Sequence, residues 1–139
     1  MQLNFDKVQG FTVPVKLHKL LNRELAKVET PEQDLNALTF NFRDPSYSAE
    51  RGGYHPVELR MEKHNDQWQF IYMTDFSYSG GQYPELEREI DVCFETKRVF
   101  SLFSGWHNHC DGKALVKLFI SNFIDYQTTN AYQTTINFR

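Results

Sequence analysis

Cysteine is scarce in this 139-residue chain: there are two, Cys93 and Cys110, and no CxxC pair. A disulfide-rich secreted framework is excluded, and the pair fits a reducing compartment while leaving a single Cys93–Cys110 bridge open. Long apolar runs are also missing. The most apolar stretch, 115–124, is broken by Lys117, Ser121 and Asn122, well short of the roughly 20 apolar residues that span a bilayer. The first twenty residues show no basic segment followed by an apolar one, so no secretory leader is read. We therefore expect a cytoplasmic protein with no membrane association. Proline and glycine number five and seven, without a linker, repeat or low-complexity tract, and residues 1–139 read as one domain. GxxxxGK[ST], GxGxxG and HExxH are absent, which removes the common nucleotide and zinc-peptidase signatures. No cofactor is expected.

What the chain has is aromatic mass: 12 Phe, 7 Tyr and 2 Trp against a mean hydropathy of −0.57. Such surface can offset chain entropy in a folded core and argues against long disorder. Net charge is −3, unevenly spread. Residues 31–100 carry −6, between +2 over 1–30 and +1 over 101–139. An acidic balance argues against a dedicated nucleic-acid binder, which needs Lys and Arg on phosphates. It suits a cationic partner on an acidic face.

Leu17, Leu20, Leu21, Leu25 and Val28 recur at three- and four-residue spacings after Pro14, which predicts a helix that Thr30-Pro31 ends. A turn over Pro31–Asp34 follows. Period-two alternation then begins. Leu38, Phe40 and Phe42 predict one strand, and Val57, Leu59 and Met61 a second. A hairpin turn at His64-Asn65-Asp66 leads into Trp68–Phe76. Residues 77–84 read as a loop, 87–95 and 99–103 as further strands. Leu115, Leu118, Phe119, Ile120, Phe123 and Ile124 give a C-terminal helix with Asp111 as its N-cap candidate. Its apolar stripe is wide enough for more than one neighbour. Ile136 and Phe138 place a docked element at the end, a short helix or a strand. The pattern is α+β: an antiparallel meander of five or six strands between helices.

Three groups of residues invite chemistry. His107, His109, Cys110 and Asp111 are all metal-ligand types, and His107 and His109 share a face if the segment is extended. Such a site needs further ligands, for which His55, His64 and Asp75 are candidates. Cys110, ahead of a helix, is also a candidate nucleophile. Arg51–Pro56 and Gly80-Gly81 are turn chemistry rather than phosphate loops. Glu85, Glu87, Glu89 and Asp91 follow at period two, so on a regular strand they project from one face beside Glu58 and Glu62. That acidic face is the preferred binding surface, with the Tyr-, Ser- and Gly-rich loop 76–83 beside it as contact chemistry.

The segments Phe42–Ser48, Arg51–Glu58 (RGGYHPVE), Trp68–Phe76 and the terminal FISNFIDYQTTNAYQTTINF resemble an uncharacterised bacterial family. It is known only as a domain of unknown function and is often encoded on mobile or pathogenicity islands. That family resembles in fold the acidic mitochondrial matrix proteins that bind complement and other partners. The resemblance implies a twisted antiparallel sheet of about six or seven strands, an N-terminal helix, one or two C-terminal helices and a trimeric homo-oligomer. It supplies no catalytic residue. The expected function is a non-enzymatic protein-interaction module, homo-oligomeric, presenting the acidic face to a protein partner. The alternative is a metal-binding protein or metal-dependent enzyme built on His107–Asp111.

Overall fold

The structure is a computed structural model of the chain and describes every residue except 7–9 and 32–33. The expected turn at Pro31–Asp34 therefore lies partly outside the described residues. Helix α1 spans Val15–Ala26 and buries Leu17, Leu20, Leu21 and Leu25. Pro14 is extended (φ −70°, ψ 148°) and stands just before the helix, so its missing N–H costs nothing. Val28 falls beyond the last turn and is exposed, outside the stripe expected for it.

Among the described residues, seven antiparallel strands follow the meander and then return. They are β1 (Ala37–Arg43), β2 (Val57–His64), β3 (Gln67–Ser79), β4 (Glu85–Cys93), β5 (Arg98–Ser101), β6 (Gly105–His107) and β7 (Gln133–Asn137). Their spatial order is β6-β5-β4-β3-β2-β1-β7. Helix α2, His109–Thr128, precedes β7. The α+β architecture is as expected, with seven strands and a single C-terminal helix. Asn65 and Asp66 both take positive φ (53° and 63°) in the β2–β3 hairpin, the conformation that matches strand twist. The docked end is a strand: Ile136 pairs with Phe40 and Thr134 with Phe42.

Two differences from the sequence reading matter for the site. β3 continues through Ser77–Ser79, expected as loop, because Ser77 and Ser79 pair with Glu87 and Glu85 on β4. Residues 105–107, outside every strand predicted from the sequence, form an edge strand in which Trp106 pairs with Phe100.

One side of the sheet carries the core. Phe40, Phe42, Leu59, Met61, Phe70, Met73, Val92 and Val99 meet the leucines of α1 and Val116, Phe119, Ile120, Phe123 and Ile124 of α2. Full burial of each such side chain contributes about 1.5–3 kcal/mol relative to exposure. The wide stripe of α2 is used twice, against the sheet and against α1. The two helices are also clipped by Gln127 Nε2 donating to the buried Glu24 at 2.6 Å. At Gly112, in the first turn of α2, a Cβ would lie 2.3 Å from Val99 Cγ1. The missing side chain lets the helix rest directly on β5.

Candidate functional site

Cross-strand partners share a face, so the register sorts the candidate residues. Thr135, Asn41, Glu58, Thr74, Asp91, Phe100 and Trp106 form one row across all seven strands, on the side away from the helices. The adjacent row, Thr134–Phe42–Val57–Asp75–Ile90–Ser101–Gly105, faces them.

The acidic line does not stay on one face. Pairing steps from Asp75↔Ile90 to Phe76↔Arg88, which leaves Glu89 as an extra residue in β4. This bulge reverses the alternation. Asp91 lies with Glu58 on the open face, and Glu62 is on the same side through its pair with Gln69. Glu85, Glu87 and Glu89 lie on the helix side, beside Ser79, Ser77 and Asp75. The open-face carboxylates are engaged within the sheet. Tyr72 donates to Glu58, Arg60 meets Glu62 at 3.1 Å, and Asp91 takes Thr74 at 2.7 Å and Arg88 at 2.8 Å. Burial and the Glu58 hydrogen bond push the Tyr72 phenol up to about 12. Arg88 lies over Phe100 (4.2 Å) and Arg98 over Trp106 (4.8 Å), so this face is mixed in charge.

The His107–Asp111 group is dispersed. His107 ends β6 and its Nε2 meets Ser104 Oγ at 2.7 Å. His109 opens α2 and its ring stacks on Phe11 at 5.1 Å. The segment is therefore not extended through both histidines, and the expected shared face is not formed. Asn108 caps the helix by accepting from Asp111 N–H at 2.9 Å, so Asp111 is a first-turn residue and not the cap. Cys110 and Cys93 are free thiols, and the possible bridge between them is not formed.

A different set converges. Among the described residues, His55, Asp75 and Glu89 bring one nitrogen and two carboxylate oxygens within 4.8 Å of one another. His55 Nδ1 stands 3.1 Å from Asp75 Oδ2 and 3.3 Å from Glu89 Oε2. Each comes from a different device. His55 sits in the turn before β2, where Gly53 holds φ +128° and a Cβ would meet Asp44 Oδ2 at 2.8 Å. Asp44 fastens that turn by accepting from Tyr54 N–H (3.0 Å) and Ser46 N–H (2.9 Å). Hydrogen bonds from Ser46 and Tyr54 hold its carboxyl below the usual range. Asp75 is a strand residue on the core side, 7% exposed. Its Oδ1 accepts the Ile90 amide beside the bulge at 2.8 Å. Glu89 is the bulge residue itself.

These three groups floor a cavity of about 330 Å³ between α2 and the sheet. Leu115, Phe119 and Phe123 of α2, with Tyr54, Tyr126 and Tyr132, wall it. Tyr132 donates its hydroxyl to the His55 carbonyl at 3.0 Å, and burial among these groups, together with the nearby Asp75 charge, pushes its phenol well above the ordinary value. The hydrogen bond with Asp75 is the main cause raising the His55 pKa; partial burial opposes it and the charges of Asp75 and Glu89 reinforce it. His55 and Asp75 entered the sequence reading as accessory ligands and Glu89 as part of the acidic line. Their convergence on each other was missed. The available signal was Asp75 itself, a carboxylate two residues from Met73 on the buried register of an apolar strand.

A model described as a protein of unknown function, DUF2787, matches residues 15–137. The chain belongs to the DUF2787 family. The DUF2787 chain is 38% identical to the hypothetical protein VC0508 from the VSP-II pathogenicity island of Vibrio cholerae. That alignment covers 99% of this chain and 100% of the other, with a TM-score of 0.91. It is 34% identical to VC1805, a conserved hypothetical protein from pathogenicity island VPI-2 of the same species. There the coverage is 94% and 98% and the TM-score 0.81. VC1805 is described as sharing structural homology with the human P32 protein, in line with the fold resemblance read from the DUF2787 sequence. No curated protein matches the sequence. Among the described residues, no DUF2787 helix is long and apolar enough to cross a membrane.

Proposed function

We propose that this chain is a non-enzymatic binding module whose ligand site is the cavity between α2 and the sheet, and that the ligand presents a positive charge to Asp75 and Glu89. The observation that carries this reading is the pair of carboxylates sharing one imidazole on the floor of an aromatic-walled cavity. Even with His55 protonated the three groups sum to one negative charge. In a partly shielded pocket such a charge favours a cationic complement. On this reading the acidic binding surface lies at Glu89 with Asp75, the carboxylates that line the cavity. We assign the module to the cytoplasm, where the free thiols of Cys93 and Cys110 persist.

The test is a titration of untagged protein with propylammonium, ethylguanidinium, Zn²⁺ and Mn²⁺, with acetate as the anionic control, followed through the His55 ring resonances. At least one cation should shift or broaden His55 saturably, and Glu89→Gln should weaken that response by roughly tenfold, or about 1.4 kcal/mol. A His55 signal indifferent to every cation would overturn the reading.

A further inference from the structure

We infer that the cation is a divalent transition-metal ion of the Zn²⁺, Mn²⁺ or Fe²⁺ class, held by His55 Nδ1, Asp75 Oδ2 and Glu89 Oε2. This rests on the cavity being a cation site and goes further by naming the ligand class. Four observations support it.

The spacing fits a shared ion. Metal–ligand bonds of about 2.0–2.2 Å, set at tetrahedral or octahedral angles, put neighbouring donor atoms about 2.9–3.5 Å apart. The two edges from His55 Nδ1 measure 3.1 and 3.3 Å. An alkylammonium is too bulky to enter between atoms this close without parting them. A bare ion takes the place of the proton that the imidazole shares with the carboxylates.

Each ligand is oriented by a second contact of its own. Asp75 Oδ1 is held by the Ile90 amide at 2.8 Å, which leaves Oδ2 to face His55. Glu89 Oε1 is approached by the Ser77 hydroxyl at 3.4 Å, which leaves Oε2 to face the same nitrogen. The main chain around His55 is pinned by Tyr132 OH on the His55 carbonyl and by Phe76 N–H on the Pro56 carbonyl at 2.9 Å. Outer contacts that fix the orientation of ligands are a recurring part of protein metal sites.

The bulge has a local consequence that packing alone does not require. In an unbroken register Glu89 would pair with Phe76 on the open face. The extra residue turns it towards Asp75 and His55.

Finally, the charges and donor types match. A neutral imidazole with two carboxylates neutralises a dication, and an N,O,O set suits borderline first-row metals more than Ca²⁺ or Mg²⁺, which prefer all-oxygen shells. The three protein ligands leave positions open towards the cavity, whose volume accommodates water or a small coordinating molecule.

The experiment is calorimetric titration of Zn²⁺ and Mn²⁺ into untagged, chelator-treated full-length protein, with Mn²⁺ broadening of assigned resonances as a second readout. One equivalent should bind. Affinity should fall at least about tenfold in Glu89→Gln and in His55→Ala, with broadening centred on Ile90 and Tyr132. Glu89 is partly exposed, so Glu89→Gln keeps the test valid if His55→Ala fails to fold. His107→Ala/His109→Ala should bind as the wild type does. Binding abolished by that double variant but not by Glu89→Gln would overturn the inference. Failure of both metals while an organic cation still perturbs His55 would overturn the metal and leave the cavity reading standing. Failure of every cation would remove both.

Discussion

Asp75→Asn tests the cavity floor at nearly constant shape. The amide oxygen can still accept the Ile90 N–H that Asp75 Oδ1 takes at 2.8 Å, so the bulge keeps its anchor. What is lost is the charge 3.1 Å from His55 Nδ1. A hydrogen bond with a charged partner contributes about 1.5–3 kcal/mol. The His55 side chain is 34% exposed and Glu89 keeps part of the field, so solvent screening reduces the expected loss to about 1 kcal/mol. The direction with pH follows from the raised His55 pKa. The folded protein holds the imidazole proton more tightly than the unfolded chain. The contribution is therefore complete below the unfolded value near 6.5 and is lost as pH rises through the higher folded value. Urea unfolding of wild type and Asp75→Asn at about pH 5.5 should differ by the full amount. At higher pH, where the folded imidazole too has lost its proton, the difference should shrink, because only the hydrogen bond between a neutral ring and the carboxylate remains. The His55 pKa, followed by NMR, should fall in the variant. A stability loss of equal size at both pH values would refute charge pairing and leave Asp75 as a brace for the Ile90 amide alone.

Gly112→Ala should destabilise by about 1 kcal/mol in thermal melts despite alanine's better helix propensity, because overpacking against Val99 costs about 1–3 kcal/mol and the helix gain is about 1 kcal/mol. In a Val99→Ala background that penalty should vanish, giving a double-mutant coupling above about 0.5 kcal/mol. His18 stacks on Phe5 at 4.0 Å, and among the described residues its buried Nε2 has no hydrogen-bond partner. Burial lowers its pKa, so its neutral form stabilises the fold above about pH 6.5 and stability erodes as pH falls below that value. His18→Phe should flatten this acid-side slope in urea titrations, a change opposite in sign to that of Asp75→Asn. Asn108→Ala should cost about 1 kcal/mol by leaving the Asp111 amide without its cap, read as a lower melting temperature by circular dichroism.

Strand existence was readable because Phe40/Phe42, Leu59/Met61 and Val92 keep strict alternation, and α1 because its leucines keep helical spacing. The places where reading failed have separate physical causes. A bulge adds one residue without any compositional mark, so the parity of Glu89 could not be inferred from a row of acids at period two. Residues 105–107 are too short to show periodicity and become a strand only because Phe100 and Val99 offer an edge. The helix start slipped by three residues because Asn108 and Asp111 are both competent caps, and only the backbone decides between them. The cavity floor joins a loop, a strand centre and a bulge from positions 55, 75 and 89. No local pattern encodes that meeting. It depends on register across two ladders. The one mark of it was a carboxylate, Asp75, inside an apolar strand, and a second register shift at Ile71 is what turns position 75 to the core side.

The return of β7 to the far side of β1 makes assembly of the sheet a matter of timing. The pairings from β1 through β6 join neighbours in sequence, and loop closure for each is short. The pairing of Ile136 with Phe40 joins distant parts of the chain, and contacts of this range slow folding. Until α2 has docked and carried residues 133–137 back across the molecule, β1 is an unsealed edge of alternating Leu and Phe, open to pairing with another chain. Slow refolding at high concentration should therefore compete with aggregation at this edge, and the rate of its closure, more than the stability of the meander, sets how long the nascent protein is exposed to that hazard.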